Sequence, residues 1–459
     1  MSKKNQFGTK IGLIAATVGS AIGLGNVWRF PAETQTNGGA AFLLIYIGCV
    51  FLLGIPVMLA EFSLGRAGRG DSVSAFQHLT PKSKWWIVGA FAILASYLIL
   101  SYYMVVAGWT AEYLWYSITG ALYNPGAAIE QAGALAEADA VFASRMDEYI
   151  CSDLRPLVAT FIIIAVNICV LLGGVRKGIE RLSNVMMPLF FVLLVTLCCV
   201  TLSLPGASRG LEFFLSPDFS KIDATTVINA LGQAFFSLSL GMGILITYAA
   251  YFPRETKLPR TAMIVSMLDM VVAIMMGFII FPAITTFGLD DKPLEGATLV
   301  FVTLPEVFAK LPLSQLWSSL FFLLLLLAAV TSTVSLAEVS IAYMQDHFRM
   351  SRLKACLTVM LPLFLLSTCS SLSFGSLSEL KIAGKTIFDF LDSTTTNLML
   401  PLISMGICIY VGWFAPRTLL PSQLSNDGTL RSRATGLVTF IVRWIAPLLI
   451  AAIMISKLL

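Results

Sequence analysis

Long apolar runs follow one another along almost the whole chain, and short polar segments separate them. Each run is long enough to cross the hydrocarbon core of a bilayer, which is about 30 Å thick. The pattern therefore predicts an all-α polytopic membrane protein. Its eleven predicted transmembrane helices, here called spans 1 to 11, cover residues 11–34, 40–65, 86–118, 156–174, 180–203, 226–250, 261–287, 316–345, 355–374, 386–414 and 436–457.

Two of these spans are interrupted by polar and glycine-rich stretches. Span 1 contains GSAIGLGNVWRFP at residues 19–31, and span 6 contains SLSLGMG at residues 237–243. Glycines, the amide Asn26 and the cation Arg29 at membrane depth are expected where the backbone is exposed to a ligand. Paired broken spans in two halves of a chain indicate the central binding site of a transporter. The alternative is a small-residue packing face between helices, which the neighbouring amide and cation disfavour.

Composition and charge agree with this class. Hydrophobic residues make up 57% of the chain and charged residues 12%, a mixture far from that of a soluble domain. Lys and Arg are concentrated in alternate loops, and most loop acids lie in the opposite set. The positive-inside rule then predicts a cytoplasmic N-terminus and, with an odd number of spans, an outside C-terminus. The net charge of +4 reflects this topology, and no nucleic-acid partner is expected because no basic run is interleaved with aromatic residues.

Cysteine and histidine usage narrows the class further. Seven of the eight cysteines fall in apolar spans or at their edges, and a structural disulfide is not expected. The two histidines, His78 and His347, fall in predicted cytoplasmic loops, which argues against a histidine metal site or a catalytic triad. No Asn-X-Ser/Thr glycosylation sequon occurs. We therefore expect a protein of the bacterial inner membrane that is not an enzyme, with the lipid bilayer as its surroundings, no organic cofactor and no obligate protein partner.

Several specific motifs occur in order along the chain. They are GLGNVWRFP (23–31), NGGAAF (37–42), GIP (54–56) followed by Glu61, SYY (101–103), GQAFFSLSLG (232–241), Thr331-Ser332 and Asp392. Together they resemble the signature of the neurotransmitter:sodium symporter family over nearly the whole chain. The resemblance implies the leucine-transporter fold in its bacterial eleven-span form, as one domain over residues 1–459. In that fold, residues 11–203 and 226–414 form two inverted five-helix repeats with helices 1 and 6 broken, and residues 436–457 add one helix.

The resemblance also implies a function. Members of this kind are Na⁺-coupled symporters that import a neutral, here hydrophobic or aromatic, L-amino acid by alternating access. The two breaks suit such guests, because unwound helices expose N–H groups to a carboxylate and C=O groups to a cation. The alternatives are an amino-acid sensor without transport and a leaky cation channel on the same fold. Half-helices with gates on both sides have no evident use in a pure receptor.

Two Na⁺ sites follow from the resemblance, and both consist of oxygen ligands, which suit a hard cation. The first site shares the substrate carboxylate, and its protein ligands are Ala21, Asn26, Ser237 and Asp269. The second site combines three carbonyls with two hydroxyls, those of Gly19, Ile22, Ala328, Thr331 and Ser332. The alternative for the two hydroxyls is an ordinary hydrogen bond to a carbonyl one turn earlier.

The expected substrate pocket comes from the same resemblance. Its residues are Ser20, Ala21, Gly25, Ile99, Tyr103, Phe236, Ser237, Ser239, Met242, Ser332 and Leu336. Tyr103 is expected to donate its hydroxyl to the substrate carboxylate. The region around the substrate side chain is apolar, so a charged amino acid would leave its charge unpaired there. Plain helix packing is the alternative for such an aliphatic and methionine lining.

Asp269 departs from the pattern of chloride-dependent relatives, which carry Asn at this position. Ala273, one turn further on, replaces the serine that helps to hold chloride in those relatives. An ionised Asp269 would supply the negative charge that chloride provides elsewhere, so the transporter is predicted to be chloride-independent. The alternative is a protonated or water-paired acid with a packing role.

Gates are expected on both sides of the pocket. On the outer side Arg29 and Asp392 can form an ion pair, with Phe236 as a lid beneath it. On the cytoplasmic side Lys4 is expected to pair with Asp346, although the family has Arg at the first position. An exposed Lys–Asp pair contributes little free energy, so the inner pair is the weaker expectation.

Span 5 contains a glycine and a proline at a characteristic spacing. Gly178 and Pro188 flank nine residues, a spacing that resembles a bacterial family feature linked to opening of the inner path. A simple proline kink is the alternative.

Glu61 is expected to accept hydrogen bonds from the broken helices, and no role follows from the sequence for Glu338.

Overall fold

The computed structural model describes residues 6–123, 138–289, 296–430 and 434–458, and its regular elements within these ranges are helices. Nine of the helices are long and apolar enough to cross a membrane, and span 1 is a bent pair. Span 6 is a second interrupted pair of helices. Because the regular elements of the described residues are helices, the predicted all-α fold is confirmed. The continuous spans, in order from span 2 to span 5 and from span 7 to span 11, are Ala40–Gly68, Trp86–Thr119, Leu154–Leu172, Val175–Leu202, Leu258–Thr286, Ser314–His347, Arg352–Leu372, Ile387–Phe414 and Thr435–Ser456.

Span 1 consists of two helices around a short break. Its first half, Lys10–Ala21, begins after Thr9, whose Oγ1 accepts a hydrogen bond from the Gly12 N–H at 2.9 Å. This bond satisfies one of the unpaired N–H groups of the first turn. Ile22 has an extended backbone and ends the half-helix. The second half, Gly25–Thr36, follows at an angle of 54°.

Span 6 is interrupted over residues 238–243. Its halves are Ala224–Ser237 and Ile244–Ala250, and neither is long enough to cross a bilayer alone. Within the break Gly241 and Gly243 have φ angles of 78° and 72°, in the left-handed region that glycine adopts without steric cost. These residues therefore end the helical hydrogen bonding and leave backbone groups that need partners outside the helix.

Glu61 of span 2 accepts a hydrogen bond from the backbone of this break. The Gly241 N–H donates to Glu61 Oε1 at 2.8 Å, as expected from the sequence. A buried N–H group without a partner is costly, so this carboxyl group stabilises the interruption of span 6.

Spans 3 and 8 form the centre of the bundle. Each is 34 residues long, and 83% of the most apolar segment of span 8 is buried. Span 1 packs against spans 7 and 8, and span 6 packs against spans 2 and 8. Peripheral spans expose large apolar side chains such as Ile162, Val192 and Leu448. An apolar surface around a buried centre is what a lipid environment requires.

The apolar pattern does not predict several shorter helices between the spans. They are Ser72–Leu79, Ala138–Cys151, Ala207–Leu215, Gly296–Ala309 and Leu419–Leu424. Most are too short or too polar to match a spanning pattern, and Gly296–Ala309 is apolar but shorter than a bilayer crossing requires. Span 5 begins at Val175 rather than at residue 180, because Arg176 and Lys177 lie in a π-helical first turn and interrupt the apolar run.

Candidate functional site

The breaks of spans 1 and 6 lie against each other. Ser239 Oγ donates a hydrogen bond to the Ser20 carbonyl at 2.9 Å, and Gln233 Nε2 donates to the Gly25 carbonyl at 3.0 Å. A Cβ atom on Gly25 would lie 2.7 Å from Cδ1 of Phe236, so the absence of a side chain at this position lets the ring approach the backbone. Side chains of span 6 thus satisfy carbonyls that the break of span 1 exposes.

A small cavity lies between the two breaks and spans 3 and 8. Its volume is about 30 Å³, enough for about two water molecules. Tyr103 reaches it from span 3, and the Tyr103 hydroxyl accepts a hydrogen bond from the Leu24 N–H at 2.9 Å. All the predicted pocket residues except Ser237 line it, together with Gly23 and Ile244; they are Ser20, Ala21, Gly25, Ile99, Tyr103, Phe236, Ser239, Met242, Ser332 and Leu336.

Three of the four residues of the first predicted Na⁺ site meet beside this cavity, and the fourth, Ala21, lines the cavity itself. Asn26 Nδ2 donates to Asp269 Oδ1 at 2.9 Å, and Ser237 Oγ donates to Asp269 Oδ2 at 2.6 Å. The Tyr46 hydroxyl approaches that second oxygen at 3.5 Å, a contact that no motif in the sequence predicts. Asn26 Oδ1 is buried and has no hydrogen-bond partner among the described residues. Its unpaired oxygen is therefore available to a ligand.

The residues of the second predicted Na⁺ site also converge. Ser332 Oγ, on span 8, lies 3.1 Å from the Ile22 carbonyl and 3.4 Å from the Gly19 carbonyl, both on span 1. Thr331 Oγ1 donates to the Ala328 carbonyl at 3.0 Å. The Thr331 bond is the local one expected of any threonine in a helix, whereas the Ser332 contacts join two spans.

The oxygen groups at both positions are amide, hydroxyl, carboxylate and backbone carbonyl groups. No group of three or more His, Cys, Asp or Glu side chains that could hold a metal ion is found in the part of the chain that the structure describes. An oxygen set with few carboxylates suits a monovalent hard cation better than zinc or another transition metal.

A vestibule of about 460 Å³ lies above the small cavity, on the side opposite the start of span 1. Arg29, Phe236 and Asp392 line it, and the Arg29 guanidinium carbon lies 4.9 Å from the centre of the Phe236 ring. Arg29 Nε is 3.8 Å from a carboxylate oxygen of Glu33, and Asp392 Oδ1 accepts a hydrogen bond from Thr396 Oγ1 at 3.2 Å. The predicted outer-gate residues thus face one space, and in this conformation Arg29 pairs with Glu33.

The opposite end of the bundle, here called the N-terminal side, is packed shut. The Phe7 ring contacts Tyr248, Tyr251 and Phe252, and the Phe7 N–H donates to the Tyr251 carbonyl at 3.2 Å. These contacts hold Phe7 against the end of span 6. The predicted pair of Lys4 and Asp346 lies partly outside the described residues, because Lys4 precedes residue 6. Asp346 Oδ2 accepts a hydrogen bond from the Asp71 N–H at 3.0 Å.

Glu338 belongs to a buried polar network on this side. Its two carboxylate oxygens accept hydrogen bonds from the Arg352 guanidinium at 2.9 and 2.6 Å, and the Tyr251 hydroxyl donates to Oε1 at 2.9 Å. Arg352 also donates through Nε to the Leu171 carbonyl at 2.7 Å. The network joins spans 4, 6, 8 and 9. The sequence offers no signal for it, because the acid and the cation lie on different spans.

Glu180 joins span 5 to the start of span 1. Its carboxylate accepts hydrogen bonds from the Gly8 N–H at 2.7 Å, the Thr9 N–H at 2.9 Å and Thr9 Oγ1 at 2.7 Å. Glu180 follows Gly178 by two residues in the π-helical turn Val175–Glu180. Hydrogen bonds to a carboxylate are stronger than neutral ones, so Glu180 fixes the start of span 1 to span 5, two residues after the glycine of the Gly-x9-Pro spacing.

Two broken helices that meet around a cavity inside a bundle of membrane spans define a membrane transporter. A sequence model of the Sodium:neurotransmitter symporter family matches residues 4–128 and 151–459. The chain belongs to this family, as predicted, and it is a sodium-coupled transporter and not an enzyme.

Individual relatives match over almost the full length. A sodium-dependent transporter of Bacillus subtilis is 35% identical over 454 residues, which cover 99% of this chain and 98% of the relative. The sodium-dependent serotonin transporter of Drosophila melanogaster is 28% identical, with 90% of this chain and 70% of that protein covered. The crystal structure of MhsT in complex with L-phenylalanine is 40% identical, covers 99% of both chains and has a TM-score of 0.87. The predicted leucine-transporter fold is thereby confirmed.

Proposed function

We propose that this transporter uses the inward Na⁺ gradient to import a neutral L-amino acid with a hydrophobic or aromatic side chain. The observation that carries the proposal is the small cavity between the two breaks, which has a polar end and an otherwise apolar lining. Tyr103 and the span 1 backbone form the polar end, and Ile99, Met242 and Leu336 form the apolar part. The L-phenylalanine bound to MhsT supports this choice of substrate.

Tyr103 is suited to hold the substrate carboxylate. Its hydroxyl oxygen already accepts a hydrogen bond from the Leu24 N–H, so its hydrogen remains for an acceptor inside the cavity. A charged substrate side chain would find no partner among the aliphatic lining residues and would lose its hydration. The cavity is smaller than an amino acid, so loading requires displacement of the Phe236 ring that separates it from the vestibule.

Two Na⁺ ions accompany the amino acid in this proposal. Asn26, Ser237, Asp269 and the Ala21 carbonyl hold the first ion together with the substrate carboxylate. The carbonyls of Gly19, Ile22 and Ala328 and the hydroxyls of Thr331 and Ser332 hold the second ion. The buried, unpaired Asn26 Oδ1 and the contacts of Ser332 with span 1 support these assignments.

The packed N-terminal side and the vestibule at the opposite end support transport by alternating access. We propose that the N-terminal side is cytoplasmic and the vestibule faces outward, in a bacterial inner membrane, with residues 11–203 and 226–414 as two inverted repeats. Arg29 and Asp392 then close the vestibule above a loaded substrate, and the contacts of Phe7, Glu180 and Glu338 separate before release to the cytoplasm. No organic cofactor and no protein partner enter this cycle.

Substrate selection is tested by competition in proteoliposomes loaded without Na⁺. Unlabelled Leu, Met, Phe, Tyr or Trp should reduce Na⁺-driven uptake of labelled L-phenylalanine, whereas Asp and Lys should leave it unchanged. Competition by a charged amino acid at equal potency would overturn the proposed specificity. Counterflow of the labelled substrate distinguishes the transporter from a sensor, which gives none, and from a channel, which does not saturate.

Tyr103→Phe should weaken amino-acid binding by roughly 1.5–3 kcal/mol, the range for a hydrogen bond to a charged group. Tyr97→Phe is the matched control, because the Tyr97 hydroxyl lies on the same span but donates to the Val359 carbonyl at 3.0 Å. Equilibrium binding of labelled substrate measures both variants. Equal affinities for the two would remove Tyr103 from the substrate site.

Uptake should be independent of chloride. Asp269 already supplies a negative charge beside the first Na⁺ site, and Ala273 lacks the hydroxyl that would help to hold the anion, so replacing chloride by gluconate should leave the initial rate of Na⁺-driven uptake unchanged. The double variant Asp269→Asn with Ala273→Ser should instead need chloride. Wild-type uptake that collapses in gluconate would show that Asp269 is neutral during loading.

A further inference from the structure

A second cavity, of about 290 Å³, lies on the N-terminal side between the starts of spans 1 and 7. It shares no lining residue with the small cavity between the breaks. Lys10, Lys257 and Arg260 line it, and all three are exposed. Their side chains have no hydrogen-bond or ion-pair partner in residues 6–123, 138–289, 296–430 and 434–458. The cavity therefore gathers three cationic side chains.

The start of span 7 adds a positive pole to the same cavity. Lys257 is the N-cap of Leu258–Thr286, and its side chain makes no capping hydrogen bond. The uncapped N–H groups and the helix dipole both favour an anion at this end of a 29-residue helix. Glu255 also lines the cavity, so its lining holds three cations and one acidic side chain. The cavity thus keeps its positive character.

The deeper part of the cavity is apolar. Ile14 follows Lys10 by four residues on span 1, and Ile264 follows Arg260 by four residues on span 7. Residues four apart share a helix face, so each helix presents a cation at its end and an isoleucine one turn further into the membrane. Ile11 and Met263, beside these positions, are 76% and 43% exposed and offer an apolar surface to lipid.

We propose that this cavity binds an anionic phospholipid from the leaflet on the N-terminal side. The headgroup phosphate lies among Lys10, Lys257 and Arg260, and an acyl chain follows Ile14 and Ile264 towards the membrane interior. A lipid fits better than a soluble anion, because the cations and the apolar residues are arranged in the order of headgroup and tail. The bound lipid bridges the starts of spans 1 and 7 and adds to the contacts that hold the N-terminal side closed. This inference does not depend on the identity of the substrate.

Native mass spectrometry of the full chain in neutral detergent tests the proposal, with dioleoyl phosphatidylglycerol and dioleoyl phosphatidylcholine as probes. Phosphatidylglycerol should bind to the wild type more tightly than phosphatidylcholine. The double variant Lys257→Gln with Arg260→Gln should lose roughly thirty-fold in phosphatidylglycerol affinity, from the usual contribution of a basic residue near an anionic lipid. Lys82→Gln with Lys354→Gln removes the same charge from exposed positions outside the cavity and should leave the affinity unchanged.

Two results would overturn the proposal. The first is equal phosphatidylglycerol affinity of the cavity variant and the control variant, with both proteins retaining the wild-type melting temperature in neutral detergent. The second is displacement of phosphatidylglycerol by soluble glycerol 3-phosphate at equal concentration, which would identify a site for free anions. Failure of the substrate experiments would not affect this test, because lipid binding is measured without amino acid or Na⁺.

Discussion

Thr331→Val combined with Ser332→Ala should lower Na⁺-driven uptake by roughly a hundredfold or more, because each hydroxyl contributes to a charged ligand. Both hydroxyls belong to the proposed second Na⁺ site, and Ser332 Oγ lies 3.1 Å from the Ile22 carbonyl of span 1. Without them the ion has fewer oxygens, and the contacts of the Ser332 hydroxyl with the carbonyls of span 1 are lost. Initial rates of L-phenylalanine uptake into proteoliposomes measure the effect, and equilibrium binding shows how far the substrate site survives.

Thr333→Val is the matched control for this variant. Thr333 is buried on the same helix and its Oγ1 donates to the Val330 carbonyl at 3.0 Å, but it lines neither the cavity nor the proposed ion site. Its replacement should leave uptake close to that of the wild type. Equal losses in the control and the double variant would show that the hydroxyls matter only for helix packing.

Arg352→Met should destabilise the protein by about 3–5 kcal/mol, the usual cost of removing one partner from a buried ion pair. The Glu338 side chain is 0% exposed, and Arg352 Nη2 lies 2.6 Å from its Oε2. Loss of the guanidinium leaves that carboxylate in the interior without its cation. The melting temperature in detergent should therefore fall sharply.

A second substitution separates the charge effect from a packing effect. Glu338→Gln added to Arg352→Met removes the uncompensated charge and should recover much of the lost stability. Lys354→Met, at an exposed position two residues along the same span, is the control and should change little. A melting temperature for Arg352→Met equal to that of Lys354→Met would contradict the structural role of the pair.

The span pattern and the two breaks could be predicted because a bilayer imposes strong rules on sequence. Apolar length sets each span, and Asn26 at membrane depth needs a functional reason. Helices such as Gly296–Ala309 cannot be predicted by these rules, because an apolar segment that is too short to cross the bilayer resembles a loop in the sequence. The observed start of span 5 precedes the predicted start for a similar reason, because Arg176 and Lys177 are charged but helical.

Some parts of the candidate site could likewise be predicted from the sequence, and others could not. The pocket residues carried by motifs, such as Gly25, Tyr103 and Ser332, line one cavity. Tyr46 lies beside Asp269, and Arg352 pairs with Glu338, but neither contact has a local signature. Such contacts depend on how spans rotate and pack against one another, and a single sequence does not report that packing. The pairing of Arg29 with Glu33, in place of the predicted partner Asp392, likewise depends on this packing.

The measurement that tests the central proposal most directly is the linkage between Na⁺ and the amino acid in binding. The Kd of L-phenylalanine should fall as Na⁺ rises, and the Kd of Na⁺ should fall by the same factor when the amino acid is present, because coupling between two ligands is reciprocal. Asn26→Leu should abolish this mutual effect by removing the unpaired amide oxygen at the shared site. An amino-acid affinity that is the same in Na⁺ and in K⁺ would contradict the account.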